Sequence, residues 1–537
     1  MKSNKIQINS KSEFFPKYSK LLLVVIFLSS LIINLSFLGY DIPVTNDSLD
    51  YLVHAKEISN QGKLPIGNYP SNDGWPILVS IFLNFSNSES FLNDSNLQKI
   101  IATILVSTTL IPIYLLCKKF VKNEIAMISG SLYIFHPLVI KNSFQGLTES
   151  FFILLIAFML LCMISKNNKL SMLGIFFISI ASVVRYEAII LVIPFTISYF
   201  LKNKFSKKTL FVFLVGLLIF VSIILPVSMM RIEAIGNDGL FSNITGSGVY
   251  FSNHVIQGIP EDDIIPGEDY SNKSIDFISR SAEIFVISIG LTMIPFFIFV
   301  IPTGVYFFFK NRDVNTWVLV IFAIALSLPI AYAYGRGINE PRYLFVLFPI
   351  FCVISSFTIQ KIQDVSKSKV IIFIIFSCVI FSTSLLVSES GENIMIEKDA
   401  FENAVIITSV ANGVNYYSQS KYIEAADLSN GWPDTPEFDK DRAPGTKTNK
   451  FLTSEYDSLE KFIQEARGYD YENQRNGLTH LIIDKHTEDK ILKNIINNEL
   501  EYDYLEKIEL NLKNDIQKLI VYKINFEKFD DIISKKE

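Results

Sequence analysis

The sequence predicts an α-helical polytopic membrane protein with an α/β domain at its C-terminus. Three observations predict it. Half of the 537 residues are apolar and only 19% are charged, against about 25% charged residues in an ordinary soluble domain. The apolar residues, 45 Phe among them, fall in runs long enough to cross a bilayer, and mean hydropathy is +0.35. From residue 389 onward those runs stop, and short strand-like and helix-like segments alternate. The net charge of −5 gives no reason to expect nucleic acid as a partner.

A spanning helix needs roughly 17–25 mainly apolar residues. About eleven segments come close: Leu21–Leu38, Ile100–Leu116, Ile125–Ile140, Leu147–Ser165, Leu170–Val184, Ala188–Leu201, Leu210–Met230, Ile284–Phe309, Trp317–Tyr334, Tyr343–Ile359 and Val370–Val387. The fifth and sixth flank Arg185-Tyr186-Glu187. A single helix from Leu170 to Leu201 would rise about 48 Å, too long for one simple span, so the chain is expected to turn at Arg185.

Charge sidedness supports this map. With the N-terminus inside, the inner segments hold nineteen Lys and Arg, and the longer outer loops before the tail hold about half as many. This is the bias expected of cytoplasmic loops. Fusing the fifth and sixth helices would turn Lys310, Arg312 and the Lys361–Lys369 cluster outward. Triplets of the Asn-x-Ser/Thr type begin at Asn46, Asn84, Asn93, Asn243 and Asn272, all in outer loops. In a chain rich in Asn and Ser they lend mild support.

The organisation that follows is a cytoplasmic N-terminus (1–20), a transmembrane domain (21–388) with large outer loops at 39–97 and 231–280, and an extracytoplasmic α/β domain (389–537). Multi-pass insertion in the plasma membrane is the expected location. Leu21–Leu38 is too long for a cleavable signal and reads as a signal anchor. The four cysteines, 117, 162, 352 and 378, lie in or at the ends of spans, so no disulfide framework is implied. Trp75–Phe85 is apolar but short, which suggests an interfacial or re-entrant piece. In the tail, Val405–Ser409, Tyr422–Ala426, Leu481–Asp484 and Leu519–Ile524 read as strands. Asn412–Ser418, Ser454–Arg467 and Glu488–Asn498 read as helices.

The chemistry-bearing residues are few. In Thr45-Asn46-Asp47-Ser48-Leu49-Asp50-Tyr51, a helix starting at Asp47 would bring Asp47, Asp50 and Tyr51 to one face, continue past His54 and stop at Gly62. Such carboxylates suit general-base or metal duty; equally, Asp47 or Ser48 can serve as a helix cap. Glu149 opens the fourth span, Arg185 and Glu187 sit between the fifth and sixth, and Arg336, Glu340 and Arg342 precede the tenth. Charges at membrane depth are costly and usually face a polar cavity; alternatively they are local ion pairs that snorkel to the interface. All of them, with Asp47 and Asp50, map to the outer side. Arginine grips phosphate oxygens through paired N–H groups, so a lipid phosphate is a fitting ligand. A nearby carboxylate could deprotonate an attacking hydroxyl. No nucleotide-sugar fingerprint appears, which points to a lipid-linked donor.

These residues, taken in order, resemble the GT-C superfamily of polytopic glycosyltransferases. The closest branch contains dolichyl-phosphate-mannose–protein mannosyltransferases and lipid A aminoarabinose transferases. Asp47-Ser48-Leu49-Asp50-Tyr51 is similar to that branch's acidic motif in the first outer loop, with Ser48 in place of its Glu. Asn72-Asp73-Gly74-Trp75-Pro76, His136-Pro137, Thr148-Glu149, Arg185-Tyr186-Glu187 and Pro341-Arg342-Tyr343 resemble later features. The likeness covers about residues 20–390. It implies inverting transfer of a sugar, by a hexosyltransferase, from a polyprenyl (dolichyl) phosphate donor to a protein, lipid or glycan acceptor on the outer face, as in cell-envelope or protein glycosylation. In the roles so implied, Asp47 is the first candidate for the base and Asp50 the second. Arg185, Arg342 and Arg336 hold the donor phosphate. Glu149, Glu187, Tyr51 and Tyr343 orient these groups or the acceptor. No metal ligands are assigned. A divalent cation stays open as a cofactor, since Glu261-Asp262-Asp263 could bind one through oxygen, although a solvated loop is the simpler reading. An oligosaccharyltransferase would carry a Trp-Trp-Asp motif that this tail lacks. The alternatives from other classes are a transporter or flippase for a lipid-linked or anionic substrate, and a non-catalytic envelope scaffold.

Overall fold

The computed structural model describes residues 19–40, 44, 47–64, 72–86, 91–203, 205–256, 273–310, 313–366, five positions between 375 and 383, and 458–467, 480–484, 490–498, 501–508 and 519–536. The chain divides into two units. One takes in Met1–Gly39, Pro70–Phe82 and Leu97–Gly391; the other takes in Tyr40–Tyr69, Leu83–Asn96 and Glu392–Glu537.

The first unit is helical. In chain order it contains α1 (Ser19–Ser36), most of α3 (Gly74–Ser86) and of α4 (Phe91–Thr108), then α5 (Leu110–Cys117), α6 (Asn123–Ile134), α7 (Pro137–Phe144), α8 (Glu149–Met163) and α9 (Asn168–Val184). A 3-10 turn (Tyr186–Leu191) leads into α10 (Val192–Lys202), α11 (Lys207–Ile235) and α12 (Phe241–Tyr250), followed by a π-helical turn (Phe251–Ile256). After these come α13 (Lys273–Met293), α14 (Phe297–Lys310), α15 (Val314–Gly335), a second 3-10 stretch (Pro341–Leu347) and α16 (Phe348–Ser366).

Among the described residues, four helical segments are long and apolar enough to cross a membrane: Asn93–Cys117, Lys207–Glu233, Val314–Gly335 and Pro341–Ser366. Several helices present large apolar side chains outward, such as Leu218 (69% exposed), Val286 (67%) and Phe299 (79%). Stripes of this kind are a liability in water and are natural against lipid. With these spans the chain is a multi-pass membrane protein. Inward-facing residues, including Ile113, Ile134, Ile156, Ile175, Phe195, Phe297, Phe322 and Val353, form one continuous apolar core.

Prolines divide two of the expected spans. Ile125–Ile140 is interrupted at Phe135-His136, and Pro137 opens α7. Ile284–Phe309 is two helices bent by 107°, with Pro295 in the break. Proline has no N–H to donate and its ring collides with the preceding turn; an average over hydropathy registers neither effect. The expected turn at Arg185 is present: α9 ends at Val184, and Arg185 is extended (φ −146°, ψ 115°). The expected span Val370–Val387 lies mostly outside the described residues. Cys117, Cys162 and Cys352 are buried free thiols.

In the second unit, α2 (Asp47–Gln61) ends at Gly62, whose φ of +68° suits only glycine at low cost. It buries Leu49, Tyr51, Leu52, His54, Ala55 and Glu57. Lys56 on its flank bonds Asp94 at 3.0 Å, and Ser59 donates to Asn84 at 2.6 Å. The tail holds α17 (Leu459–Arg467), β1 (His480–Asp484), α18 (Lys490–Asn497), β2 (Leu505–Ile508), β3 (Leu519–Ile524) and α19 (Phe526–Lys536). The sheet is antiparallel in the order β1-β3-β2, with Leu481 opposite Tyr522 and Lys507 also opposite Tyr522. Ile463, Leu481, Ile495, Tyr504, Tyr522 and Phe529 fill its core. The expected elements at Val405–Ser409, Asn412–Ser418 and Tyr422–Ala426 lie outside the described residues.

Candidate active site

Asp47 and Asp50 occupy the first turn of α2, where carboxylates are favoured by the helix dipole. Both are exposed, whereas Tyr51 is buried; burial thus sets Tyr51 apart from the two carboxylates expected to share its face. Although Asp50 keeps an open side, loss of water around it, and then the charge of Asp47, push its carboxyl up to about 6. A carboxylate with that affinity for protons suits general-base work near neutral pH.

In the first unit, Glu149, Arg185, Glu187, Glu340, Arg342 and Tyr343 converge. Glu149 lies in the first turn of α8 and is buried. Arg185 caps the C-terminal end of α9. Each sign of charge therefore sits at the helix end that stabilises it. Arg185 donates from Nη1 to Glu149 Oε1 at 2.7 Å and from Nη2 to Glu187 Oε1 at 3.2 Å. Arg342 Nε stands 3.9 Å from the same Glu149 oxygen and 3.5 Å from Glu340 Oε2. The Tyr343 ring faces both guanidinium groups, at 5.4 Å from Arg185 and 5.8 Å from Arg342, within the range of a cation–π attraction. Phe152 flanks Arg185 at 5.8 Å. Arg336 caps the end of α15 and lies over Tyr250 at 4.4 Å. It shares an electrostatic neighbourhood with Arg185 and Glu187 through Tyr186.

A second ionic contact escaped the sequence reading. Arg231 near the end of α11 donates from Nη1 to both oxygens of Asp73, at 2.7 and 2.8 Å, and both side chains are buried. Next along the chain, Gly74 packs so closely that a Cβ there would stand 2.7 Å from Val184 N and 2.9 Å from Val183 C. Only glycine allows that approach without displacement. Trp75, wholly buried, donates from Nε1 to the Gly146 carbonyl at 2.9 Å. Gln98 donates to the same carbonyl at 2.8 Å. Only the run Asn72-Asp73-Gly74-Trp75-Pro76, noted for its resemblance, signalled this junction.

Among the described residues, no group of three or more His, Cys, Asp or Glu could hold a metal ion. The Glu261-Asp262-Asp263 run lies outside them.

Residues 80–230 match the family model for dolichyl-phosphate-mannose–protein mannosyltransferases, which bears out the resemblance drawn from the sequence. The matched stretch includes Glu149, Arg185 and Glu187. No curated protein matches the chain. Similar solved structures include the archaeal oligosaccharyltransferase AglB from Archaeoglobus fulgidus in complex with an inhibitory peptide and a dolichol-phosphate. It shows 13% identity and a TM-score of 0.47, over 70% of this chain and 56% of that one. The Archaeoglobus fulgidus oligosaccharyltransferase complex with zinc and sulfate shows 14% identity and a TM-score of 0.46, over 68% and 53%. ArnT from Cupriavidus metallidurans bound to undecaprenyl phosphate shows 10% identity and a TM-score of 0.42, over 76% and 72%. The chain thus spans little more than half the length of the two archaeal chains.

Proposed function

We propose that this protein is a membrane glycosyltransferase that moves one sugar from a polyprenyl phosphate to a protein, lipid or glycan acceptor, with inversion, on the outer face of the plasma membrane. The single observation that carries the reading is the half-buried cluster in which Glu149 and Glu187 hold Arg185 beside Arg342. The family match over residues 80–230 supports it. Two guanidinium groups held at helix ends near the membrane surface suit the phosphate of a lipid carrier, because arginine stays charged when partly desolvated.

In this reading the acceptor heteroatom attacks the sugar C1 while the bond from C1 to the phosphate oxygen breaks. The bonding pair leaves with the polyprenyl phosphate. Arg185 and Arg342 stabilise that departing charge, an interaction that strengthens as the bond breaks. Arg336 is assigned a supporting contact to the donor. The acceptor's proton passes to the carboxylate pair of α2. Asp50, with its raised proton affinity, takes the place of first candidate from Asp47, which tunes it. Eleven spans with the tail outside, and a divalent cation as an optional partner of the donor phosphate, belong to the same proposal.

The transporter reading draws on the 107° break between α13 and α14, since discontinuous helices also line transport sites. One assay separates the two. Membranes containing the protein are supplied with radiolabelled polyprenyl-phosphate sugar. The enzyme forms a labelled covalent product, and Asp47→Asn with Asp50→Asn abolishes it. Flux into sealed vesicles without covalent product would overturn the enzyme reading.

A further inference from the structure

The junction at residues 73–75 performs no step in the proposed reaction, yet it touches both backbone segments that carry the ionic cluster. Gly74 abuts the backbone of Val183 and Val184, and Arg185 is the next residue. Trp75 and Gln98 share the carbonyl of Gly146, three residues before Glu149. Glu149 and Arg185 then meet at 2.7 Å. One turn of α3 is therefore the common seat of two strands of backbone whose side chains must meet within a few tenths of an ångström. What anchors that turn is Asp73, gripped from α11 by Arg231. Residues 73 and 231 are 158 positions apart, so the pair is a tertiary fastening with no local role.

We propose that Asp73 and Arg231 are positioning residues: their ion pair seats the first turn of α3 against Val183–Val184 and Gly146, and so sets the approach of Arg185 to Glu149. Nearby packing agrees. At Gly74 the neighbours are the backbone of Val183–Val184 and the stiff, β-branched Val184 side chain, which leave little to absorb a shift. A displacement of α3 would therefore pass directly into the Arg185 backbone. Gly239 packs against the Arg231 side chain itself, leaving no space there for a Cβ, so the guanidinium has little room to swing away from Asp73.

The clamp can be tested without any substrate, on the full chain purified in detergent, by amide hydrogen exchange. Asp73→Asn is expected to speed exchange about tenfold at residues 183–187 and 146–149, leaving α14 and α16 at wild-type rates. Arg231→Met should do the same, and Arg231→Lys, which keeps the charge, should restore most of the protection. Trp75→Phe keeps an aromatic ring but loses the indole N–H and part of the ring volume; it should speed residues 146–149 three- to fivefold, and it decides the matter if Asp73→Asn does not fold. Unchanged exchange at both segments, or uniform acceleration throughout the unit, overturns the clamp.

A second arm rests on the phosphate-site reading given above and uses radiolabelled dolichyl phosphate as the probe. Its affinity should fall about tenfold in Asp73→Asn and in Arg185→Gln, with the double variant no weaker than Arg185→Gln alone, since residues acting through one contact are not additive. Additive losses overturn the proposal. If wild type fails to bind the probe, the phosphate-site reading falls, and the exchange data still decide the clamp.

Discussion

Two acidic regions of this molecule behave in opposite ways. Glu149 sits deep in protein but has Arg185 at 2.7 Å and Arg342 at 3.9 Å. Asp50 is more open, yet loss of water around it, and then the charge of Asp47, push its carboxyl up to about 6. A like charge nearby disfavours the ionised form of a carboxyl. The Glu149 cluster instead pairs its carboxylate with arginines and holds them in place. In the proposed reaction the α2 pair exchanges the proton and the Glu149 cluster binds the donor, although both regions contain only common charged residues.

The assignments can be broken in order of expected effect. Asp50→Asn should lower kcat for transfer by roughly 10²–10⁴, the usual contribution of a general base, with little change in donor KM; a loss confined to KM would put Asp50 on the binding side. Asp73→Asn leaves Arg231 without the Asp73 charge and should loosen the first turn of α3 locally, read as the about tenfold faster exchange at residues 183–187 and 146–149 with α14 and α16 unchanged. Arg185→Gln should raise the donor KM about tenfold or more, in keeping with roughly 1.5–3 kcal/mol for a hydrogen bond to a charged group, lower kcat as well because the contact strengthens as the bond breaks, and leave acceptor KM unchanged. Tyr343→Leu removes the ring face shared by Arg185 and Arg342. It should cost about 0.5–1 kcal/mol, a several-fold change in donor affinity.

Asp50 also makes a stability prediction whose sign is opposite to that of a salt-bridged carboxylate. Its folded value lies above the ordinary value of 3.8, so the folded chain binds the proton more tightly than the unfolded one. Stability from this group therefore falls as pH rises from about 4 to about 6. Asp50→Asn should leave stability unchanged below pH 4 and raise it at neutral pH, seen as a higher midpoint of thermal unfolding.

Much of this architecture was legible in the sequence because charge is scarce. In apolar surroundings Glu149, Arg185 and Arg342 stand out one by one, and their helix-end positions follow from where the apolar runs stop. The stop of α2 at Gly62 and the strand Leu519–Ile524 were equally visible, since a glycine after a helical pattern and an apolar run between polar loops are local signals. Asp73–Arg231 was not visible. Asp73 sits among Asn72 and Gly74 and looks like a turn residue, and its partner lies in another helix far along the chain. The break at Pro295 was hidden inside an apolar run that hydropathy reads as continuous. Strand β2 and α19 went unread because Leu505-Glu506-Lys507-Ile508 is half charged, and Phe526–Lys536 buries few residues.

The central claim is that the paired carboxylates of α2 supply the base. The pH dependence of sugar transfer from radiolabelled polyprenyl-phosphate sugar, compared between wild type and Asp47→Asn, tests it most directly. Wild-type activity should rise with pH through about 6 as Asp50 loses its proton. In Asp47→Asn the neighbouring charge is gone, so the rise should move to lower pH, while Asp50→Asn shows no such limb. An acid limb that stays in place when Asp47 is neutralised, or that survives Asp50→Asn, would contradict the account.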